Sequence, residues 1–356
     1  VEGVMGYFDG IANTYQNSCY DLSRTLDIPT LLIYSPKGEM FSAIPKIKGM
    51  VDFPDSRIKA ILFNNVTERY YSMLKQAVEQ YTDLDCIGYI PKLEGAGFES
   101  RHLGLVQSIE VADLERKLNI IANALNETVN LDSLINMMQA PKQNKVALNF
   151  QTADPKPTIA IAKDKAFSFY YRENLELLEQ VSNVTYFSPL TDSELPDCDM
   201  VYFGGGYPEV FREELSQNQS MLGSVKEFGE NGGYIFGECG GLMYLTEKVE
   251  DTEMVGLLKG TCHLTKKLQR FGYIDFTLTE DCILGPKGTK LTGHEFHKST
   301  TDVTLPTSYQ IKKTMGDKEW QCGFRYKNIL AGYPHISFLQ NPEVLNSLIN
   351  TLTKSN

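Results

Sequence analysis

Residues 234–245 of this 356-residue chain are YIFGECGGLMYL, and this stretch decides how the second half of the chain folds. Its first three residues form an apolar run typical of a buried strand, and residues 242–245 are apolar as in a helix that packs on a sheet. Between them lies Cys239, flanked by glycines that permit a sharp, strained turn. A small–x–nucleophile–x–small pattern between a strand and a helix predicts a nucleophile elbow, with the Cys239 sulfur exposed at the top of a sheet.

Cys239 is therefore the candidate nucleophile. The N-terminus of the following helix carries a partial positive charge, which lowers the pKa of a thiol, and the thiolate is the form that attacks. The alternative is a buried structural cysteine in a glycine-rich turn. The succession of strand, turn and helix favours the nucleophile.

The candidate base is His335, which follows the apolar run at residues 329–334. A cysteine and its base need to be adjacent only in space. The alternative for any single histidine is a structural, hydrogen-bonded side chain. A further feature is GGGYPE at residues 204–209, directly after the apolar run 200–203. Successive glycines allow backbone N–H groups to converge on one point, as an oxyanion hole requires.

Short apolar runs alternate with amphipathic segments along both halves of the chain. The runs that we interpret as strands are residues 28–34, 60–63, 86–90, 159–162, 184–187, 200–203 and 234–236. Strands that alternate with helices predict a parallel sheet covered on both faces. We therefore expect an α/β protein of two domains, residues 1–140 and 158–356, each a mainly parallel sheet flanked by helices. The proline-containing residues 141–157 indicate a linker between them.

The composition argues against several classes of protein. A net charge of −11 disfavours nucleic acid or an anionic membrane as a partner, because both attract clustered Lys and Arg. No apolar run approaches the ~18 residues of a membrane-spanning helix. The seven cysteines are odd in number and widely spaced, which disfavours a disulfide framework or a zinc site and predicts a reducing, cytoplasmic location.

Taken together, the cysteine elbow, the GGGYPE segment and the downstream His335 resemble a class I glutamine amidotransferase domain. The similarity continues through residues 164–171, 187–190 and 293–297. In the first half it includes residues 2–10 and 101–106, again in the order found in the cobyrinate a,c-diamide synthase family. The first half resembles the P-loop ATPase domain of dethiobiotin synthetase.

The resemblance implies roles for residues of the second half. Cys239 would attack the side-chain amide of glutamine, His335 would transfer the proton, and the N–H groups of Gly206 and Gly240 would form the oxyanion hole. Many related domains carry a glutamate two residues after the histidine, where this chain has Ser337. The third member of the site is open, with Glu295 as one candidate and a structural role for Glu295 as the alternative.

For the first half, the resemblance implies an ATP- and Mg²⁺-dependent synthetase that activates a carboxylate of a corrinoid or related tetrapyrrole. The implied site residues are Glu2 as a Mg²⁺ ligand, Asp9 in the synthetase site, Asn64 and Asn65 at the nucleotide, and Arg101 and His102 at the macrocycle. An arginine suits a polycarboxylate substrate because its paired N–H donors match carboxylate geometry. The alternatives are an ordinary strand-to-loop turn for the asparagines and a surface residue for Arg101.

One family feature is absent from the chain. The family begins with a glycine-rich phosphate loop ending in Gly-Lys-Thr, and this sequence contains no Gly-x-x-x-x-Gly-Lys-Ser/Thr. The chain also begins as if within a strand and without an initiator methionine. We expect that residues precede Val1 in the complete enzyme, and the alternative is a homologue that has lost ATP use.

The resulting expectation is an enzyme that amidates the a and c acetate carboxylates of cobyrinate or hydrogenobyrinate, using glutamine and ATP through an acyl phosphate. The alternatives are the same chemistry on nickel sirohydrochlorin, a free-standing glutaminase, or a non-catalytic tetrapyrrole-binding homologue. The resemblance also leaves a homodimer open.

Overall fold

A computed structural model describes residues 2–3, 5–101, 104–138 and 150–354. The chain divides into two compact units, Val1–Ala147 and Leu148–Asn356. Much of the predicted linker, residues 141–157, lies outside the described residues, so the exact domain boundaries stay a prediction.

The first unit alternates strands and helices, as its sequence pattern predicts. Its elements are α1 (Cys19–Thr25), β1 (Thr30–Tyr34), α2 (Ala43–Val51), β2 (Ile58–Asn64), α3 (Glu68–Tyr81), β3 (Asp85–Ile90), β4 (Ser100–Arg101), β5 (Gly104–Leu105), a 3-10 turn at Ser108–Glu110, α4 (Leu114–Thr128) and α5 (Leu131–Met137). Strands β1, β2 and β3 form a parallel sheet with β2 in the centre.

Both faces of this sheet are covered, which explains why β2 is a nearly continuous apolar run. On one face Ile61 and Phe63 pack with residues of α2 and α3, and on the other Ala60 and Leu62 pack with Val129, which follows α4. The parallel arrangement of the first unit is therefore confirmed. Asn64 is the last residue of the central strand. It therefore lies at the carboxyl end of the sheet, where parallel α/β sheets usually bind their ligands.

The second unit is larger. Its elements are β6 (Thr158–Ala162), β7 (Phe167–Phe169), α6 (Arg172–Val181), β8 (Asn183–Phe187), β9 (Met200–Phe203), β10 (Gly205–Gly206), α7 (Arg212–Gln217), α8 (Gln219–Glu230), β11 (Tyr234–Glu238), α9 (Gly240–Leu245), β12 (Thr246–Val249), β13 (Thr252–Glu253), β14 (Leu258–Leu264), β15 (Arg270–Leu278), β16 (Lys290–His297), β17 (Ser299–Thr301), β18 (Thr307–Lys313), β19 (Glu319–Tyr326), β20 (Ile329–Gly332) and α10 (Pro342–Lys354).

The main sheet of the second unit has the strand order β8-β6-β9-β11-β20-β19-β18-β15-β16. Strands β8 to β20 in this order pair in parallel, whereas the strands from β20 to β16 pair antiparallel. The α/β class is confirmed, and the sheet is mixed. The antiparallel part did not stand out in the sequence because strands such as β16 alternate polar and apolar positions and carry polar residues on the buried face.

A backbone bridge joins the antiparallel part of the sheet to the segment that follows β20. His294 of β16 and His335, three residues beyond β20, exchange two backbone hydrogen bonds of 3.1 and 2.9 Å. A smaller sheet with the order β13-β12-β14-β17 follows α9. Among the helices in the described ranges, none has both the length and the apolar character needed to cross a bilayer.

Candidate active site

The turn between β11 and α9 holds Cys239 in an unusual backbone conformation, with φ 49° and ψ −96°. Non-glycine residues rarely adopt positive φ, so surrounding contacts must hold the turn in place. The Cys239 N–H donates to the Gly332 carbonyl at 2.7 Å, and the Gly241 N–H donates to the Gly204 carbonyl at 3.0 Å. The predicted strand, strained turn and helix are therefore present.

Glycine at position 240 is required by close packing on the turn. A Cβ on Gly240 would lie 2.9 Å from the Cδ atom of Pro208 and 3.1 Å from the backbone nitrogen of Gly206. The start of α9 therefore lies directly against the loop that contains Gly206. Gly240 and Gly206 are the two residues whose N–H groups are predicted to form the oxyanion hole.

The thiol of Cys239 is buried, with only 5% of the residue exposed. Burial is the largest cause that raises its pKa above the usual range, and the nearby carboxylates of Glu209, Glu295 and Glu238 act in the same direction. The Gly240 N–H opposes them. The expectation of an exposed thiol with a lowered pKa is wrong, because loss of hydration outweighs the positive end of the short helix α9.

His335 lies in the buried segment after β20 and is 7% exposed. Its ring stacks on that of His294, with ring centroids 4.8 Å apart and planes inclined by 14°. Burial, with the charges of His294 and His297 as smaller causes, lowers the pKa of His335 to about 3. The imidazole is therefore neutral near pH 7 and able to accept a proton.

Gly205 of the glycine loop packs against the His335 ring. A Cβ on Gly205 would lie 2.4 Å from the His335 Cε1 atom and 3.2 Å from the Cβ of Phe169, so only glycine allows this approach. Since the neighbouring Gly206 contacts the start of α9, the structure brings together the elbow, the glycine loop and the histidine. The motifs that the sequence predicts to act together are neighbours in space.

A polar clamp that the sequence analysis missed holds the backbone of the histidine segment. Glu238, 2% exposed, accepts hydrogen bonds from the Ile336 N–H at 2.9 Å and from the Tyr202 hydroxyl at 2.6 Å. The buried Asn174 donates to the Ile336 carbonyl at 2.7 Å and accepts from the Phe338 N–H at 2.8 Å. We call Glu238, Tyr202 and Asn174 the polar clamp. The sequence signal that could have indicated this clamp is Glu238, a carboxylate at the end of the otherwise apolar strand β11.

Among the described residues, Glu295, the candidate for the third member of the site, makes no hydrogen bond to the His335 ring, and Ser337 stands where related domains carry a glutamate. Glu295 accepts a hydrogen bond from the Trp320 Nε1–H at 3.3 Å and lies 3.8 Å from the His297 Nε2 atom. Ser337 accepts backbone and side-chain hydrogen bonds from Asn341 through its carbonyl. Within the described ranges, no carboxylate is hydrogen-bonded to the imidazole of His335.

Of the predicted synthetase residues, Glu2, Asp9, Asn64 and Asn65 lie within the described ranges. Glu2 and Asp9 are exposed, and the Asp9 carboxylate accepts a hydrogen bond from the Gly6 N–H at 3.0 Å. Asn64 ends β2, and Asn65 follows it with φ 59°. No hydrogen bond between described residues joins these carboxylates to the asparagines.

Arg101 and His102 are the two residues predicted to bind the macrocycle. Arg101 lies in β4, and His102 lies outside the described residues. Across the described ranges, no group of three or more His, Cys, Asp or Glu side chains is arranged to hold a metal ion.

Comparison with known proteins covers both halves of the chain. A family model described as a CobB/CobQ-like glutamine amidotransferase domain matches residues 158–343, a range that contains Cys239 and His335. The cobyrinate a,c-diamide synthase of Clostridium tetani is 44% identical over 357 residues, covering 98% of this chain and 81% of that protein.

Two further relatives carry the same name. The cobyrinate a,c-diamide synthase of Clostridium acetobutylicum is 41% identical over 356 residues, covering 98% of this chain and 81% of that protein. That of Methanocaldococcus jannaschii is 38% identical over 359 residues, covering 98% of this chain and 80% of that protein. The three relatives thus come from two Clostridium species and from Methanocaldococcus jannaschii.

The packing of Gly205 on the histidine is open to a direct test. Gly205→Ala places a methyl group within contact distance of the buried His335 ring, which must then shift. We expect hydrolysis of glutamine to fall by at least about 100-fold, since displacement of a catalytic base by about 1 Å has effects of this order. Steady-state glutaminase assays measure the loss. The control is Gly223→Ala in α8, where nothing lies within 4 Å of the added methyl group. Unchanged activity in Gly205→Ala would contradict the contact.

The polar clamp makes stability depend on pH in a defined direction. Burial raises the pKa of Glu238 from 4.5 to about 7, so the folded state favours the protonated carboxyl. The unfolded chain ionises above pH ~4.5, so the contribution of Glu238 to stability is present below that pH and is lost as the pH rises through 7.

The size of this effect is on the order of 3 kcal/mol. We expect wild type to lose about this much unfolding free energy relative to Glu238→Gln between pH 5 and pH 8. Urea unfolding followed by the fluorescence of the single tryptophan, Trp320, measures it in the second unit. Glu253→Gln, which removes an exposed carboxylate, is the control. The assignment would be refuted if the difference in unfolding free energy between wild type and Glu238→Gln did not change with pH.

Proposed function

The chain belongs to the cobyrinate a,c-diamide synthase family, and we propose that its Cys239–His335 site releases the ammonia with which it amidates the a and c side chains of cobyrinate. The enzyme is a glutamine-dependent amidating ligase of cobalamin biosynthesis. One observation carries the site proposal. A strained cysteine at the end of β11, a glycine loop and a neutral, buried histidine meet on one side of the second unit.

The proposed glutaminase reaction begins with both groups uncharged, since the raised pKa keeps Cys239 a thiol and the lowered pKa keeps His335 neutral. As the sulfur forms a bond to the amide carbon of glutamine, the thiol proton passes to the imidazole. His335 then gives the proton to the departing ammonia, and a thioester remains on Cys239. Water, activated by the same imidazole, hydrolyses the thioester to glutamate.

The negative charge that develops on the amide oxygen needs fixed donors. We assign this role to the N–H groups of Gly206 and Gly240, which lie on facing sides of the packed turn. Donors that are already in place cost no reorganisation during the reaction, and each is typically worth 10²–10³ in rate. The polar clamp contributes indirectly, because it holds the backbone on the C-terminal side of His335.

We assign the synthetase reaction to the first unit. Formation of an amide from a free carboxylate is unfavourable in water, so an ATP-derived acyl phosphate is the proposed activated form. Mg²⁺ usually binds through one or two carboxylates together with phosphate oxygens and water, and it neutralises phosphate charge. The exposed carboxylate of Glu2 fits such partial ligation, although the described residues form no metal cluster of their own.

The remaining assignments of the first unit stay proposals as well. Asp9 is placed in the synthetase site, Asn64 and Asn65 at the nucleotide, and Arg101 and His102 at the corrinoid carboxylates. The names of the relatives do not favour nickel sirohydrochlorin or a non-catalytic role. A cytoplasmic location, a homodimer and the lack of nucleic-acid or membrane partners remain predictions.

Removal of the nucleophile should separate the two half-reactions. We expect Cys239→Ala to lower glutamine-dependent amidation by at least about 10³-fold, because no thioester can form. Amidation with added ammonium chloride should stay within about twofold of wild type, since the synthetase site does not use the thiol. Product formation from cobyrinate with each nitrogen donor measures both activities. Cys282→Ala, which removes another free thiol of the same unit, is the control. Equal loss of both activities would count against two separate sites.

Glu2→Gln tests the opposite half. It removes one negative charge from the proposed Mg²⁺ ligand, so we expect ammonia-dependent amidation to fall at least about tenfold and to need more Mg²⁺ for half-maximal rate. Glutaminase activity measured without cobyrinate should not change. Glu94→Gln, an exposed carboxylate of the same unit, is the matched control. An unaltered Mg²⁺ dependence in Glu2→Gln would exclude the ligand role.

A further inference from the structure

The ring of His294 lies flat against the imidazole of His335, the proposed base. The two ring centroids are 4.8 Å apart and the ring planes are inclined by only 14°. Aromatic rings in contact have centroid separations of about 4.5–7 Å, so this is a close stacking contact. The reaction described above gives His294 no role, although its ring covers one face of the base.

Backbone pairing sets this stacking contact. The N–H groups of His294 and His335 donate to each other's carbonyls at 3.1 and 2.9 Å, so the two residues are a directly opposed antiparallel pair. Side chains of such a pair lie on the same face and interact with each other. The two segments approach so closely that a Cβ on Gly293 would lie 2.6 Å from the His335 carbonyl oxygen. The stacked rings therefore follow from the way the backbone pairs.

The hydroxyl of Tyr171 fixes the orientation of the His294 ring. Its oxygen lies 2.8 Å from the His294 Nδ1 atom, and the two rings meet edge to face with centroids 5.9 Å apart and planes inclined by 74°. Burial raises the pKa of Tyr171 to about 12, so the hydroxyl keeps its proton near pH 7. Burial also lowers the pKa of His294, against the opposing charge of Glu295. The hydrogen bond therefore joins two neutral groups.

Tyr171 belongs to a segment that also positions the backbone of the histidine. It directly precedes α6, and Asn174 in the first turn of that helix donates to the Ile336 carbonyl at 2.7 Å. The start of α6 therefore acts on the base twice, on its backbone through Asn174 and on its ring through Tyr171 and the histidine that Tyr171 binds.

A stacked ring supplies an orientation that no carboxylate provides. In many catalytic sites a hydrogen-bonded carboxylate orients the histidine. Within the described ranges, no carboxylate is hydrogen-bonded to the imidazole of His335. Burial, with the charges of His294 and His297 as smaller causes, lowers the pKa of His335 to about 3. A flat neutral neighbour restricts rotation of the imidazole without adding negative charge, so it orients the base and leaves it uncharged.

We propose that His294, oriented by Tyr171, is a positioning residue for His335 and takes the place of a hydrogen-bonded carboxylate. The His294 ring keeps the imidazole in the plane in which it accepts the proton of Cys239. The glycine loop limits movement of the same imidazole, since a Cβ on Gly205 would lie 2.4 Å from its Cε1 atom and 3.3 Å from its Nδ1 atom. This inference rests on the proposed glutaminase function and adds the residues that orient its base.

The first test compares two apolar substitutions of His294. Phenylalanine keeps a flat ring that can stack on His335, whereas leucine removes the ring. We expect His294→Leu to lower kcat for glutamine hydrolysis by about 30- to 100-fold, since misplacement of a catalytic group by about 1 Å has effects of this order. The KM should stay within about twofold of wild type, and His294→Phe should keep kcat within about tenfold. Steady-state glutaminase assays measure both constants. His263→Leu, at an exposed histidine of β14, is the matched control. Equal kcat in the two His294 variants would refute the positioning role.

The second test is a double-mutant cycle on the Tyr171 hydroxyl. Tyr171→Phe removes the group that binds His294, so we expect kcat to fall about two- to tenfold with little change in KM, as for loss of one neutral hydrogen bond. In the His294→Phe background the hydroxyl has no imidazole to bind, and the same substitution should cause no further fall. Tyr186→Phe, which removes a hydroxyl hydrogen-bonded to Glu179, is the control. Losses that multiply in the double variant would show that Tyr171 does not act through His294, and would overturn the inference.

Stability is measured separately from positioning. Urea unfolding followed by the fluorescence of Trp320 reports on the second unit, and we expect the His294→Leu and His294→Phe variants to unfold at the same midpoint. The difference in kcat between them then arises from the stacked ring. A fall in kcat of His294→Leu that is matched by a fall in its unfolding midpoint relative to His294→Phe would make the residue structural and refute the inference.

The outcomes also separate this inference from the function on which it rests. If Cys239→Ala abolishes glutamine hydrolysis while His294→Leu keeps the kcat of wild type, the positioning role is wrong and the glutaminase function stands. If His294→Leu raises KM without lowering kcat, the residue acts on substrate binding and the positioning role is refuted. If Cys239→Ala still hydrolyses glutamine, both proposals fail.

Discussion

The candidate active site depends on the parallel pairing of β11 with β20. In this register Glu238 lies opposite Gly332, and the N–H of Cys239 makes the next hydrogen bond of the ladder, to the Gly332 carbonyl. The chain reaches His335 only three residues beyond Gly332. The pairing that holds the strained cysteine therefore also brings the histidine to the same end of the sheet. A shift of one residue would reverse the faces of all the side chains involved and separate the two groups.

Burial then determines the protonation states. A thiol and an imidazole without water around them both favour their neutral forms, and the pKa of each moves in the direction that burial dictates. Burial therefore disfavours a preformed thiolate–imidazolium pair of the kind found in many exposed cysteine sites. In the proposed reaction the proton therefore moves as the sulfur attacks, and the backbone donors assigned to the oxyanion hole stabilise the developing charge.

Polar groups with well-placed partners give the second unit its specificity, and around the histidine they are of two kinds. Asn174 and Glu238 fix the backbone on the C-terminal side of the histidine. Tyr171 and His294 are hydrogen-bonded to each other, and the ring of His294 stacks on the imidazole itself. Satisfied groups of both kinds stabilise a unique structure, whereas a buried polar group without a partner is costly.

The sequence by itself determined the alternation of strands and helices, the parallel strands to within about two residues and the turn at Cys239, because apolar periodicity and glycine spacing are local properties. It did not determine the burial of Cys239, the antiparallel part of the sheet, the polar clamp or the stacking of His294 on His335. The bond between Asn174 and Ile336 joins residues 162 positions apart, and the hydrogen bonds between His294 and His335 join the alternating strand β16 to the segment that follows β20. Only the tertiary structure decides such features, because whether a polar side chain is solvated, satisfied or left without a partner depends on distant segments that local sequence does not specify.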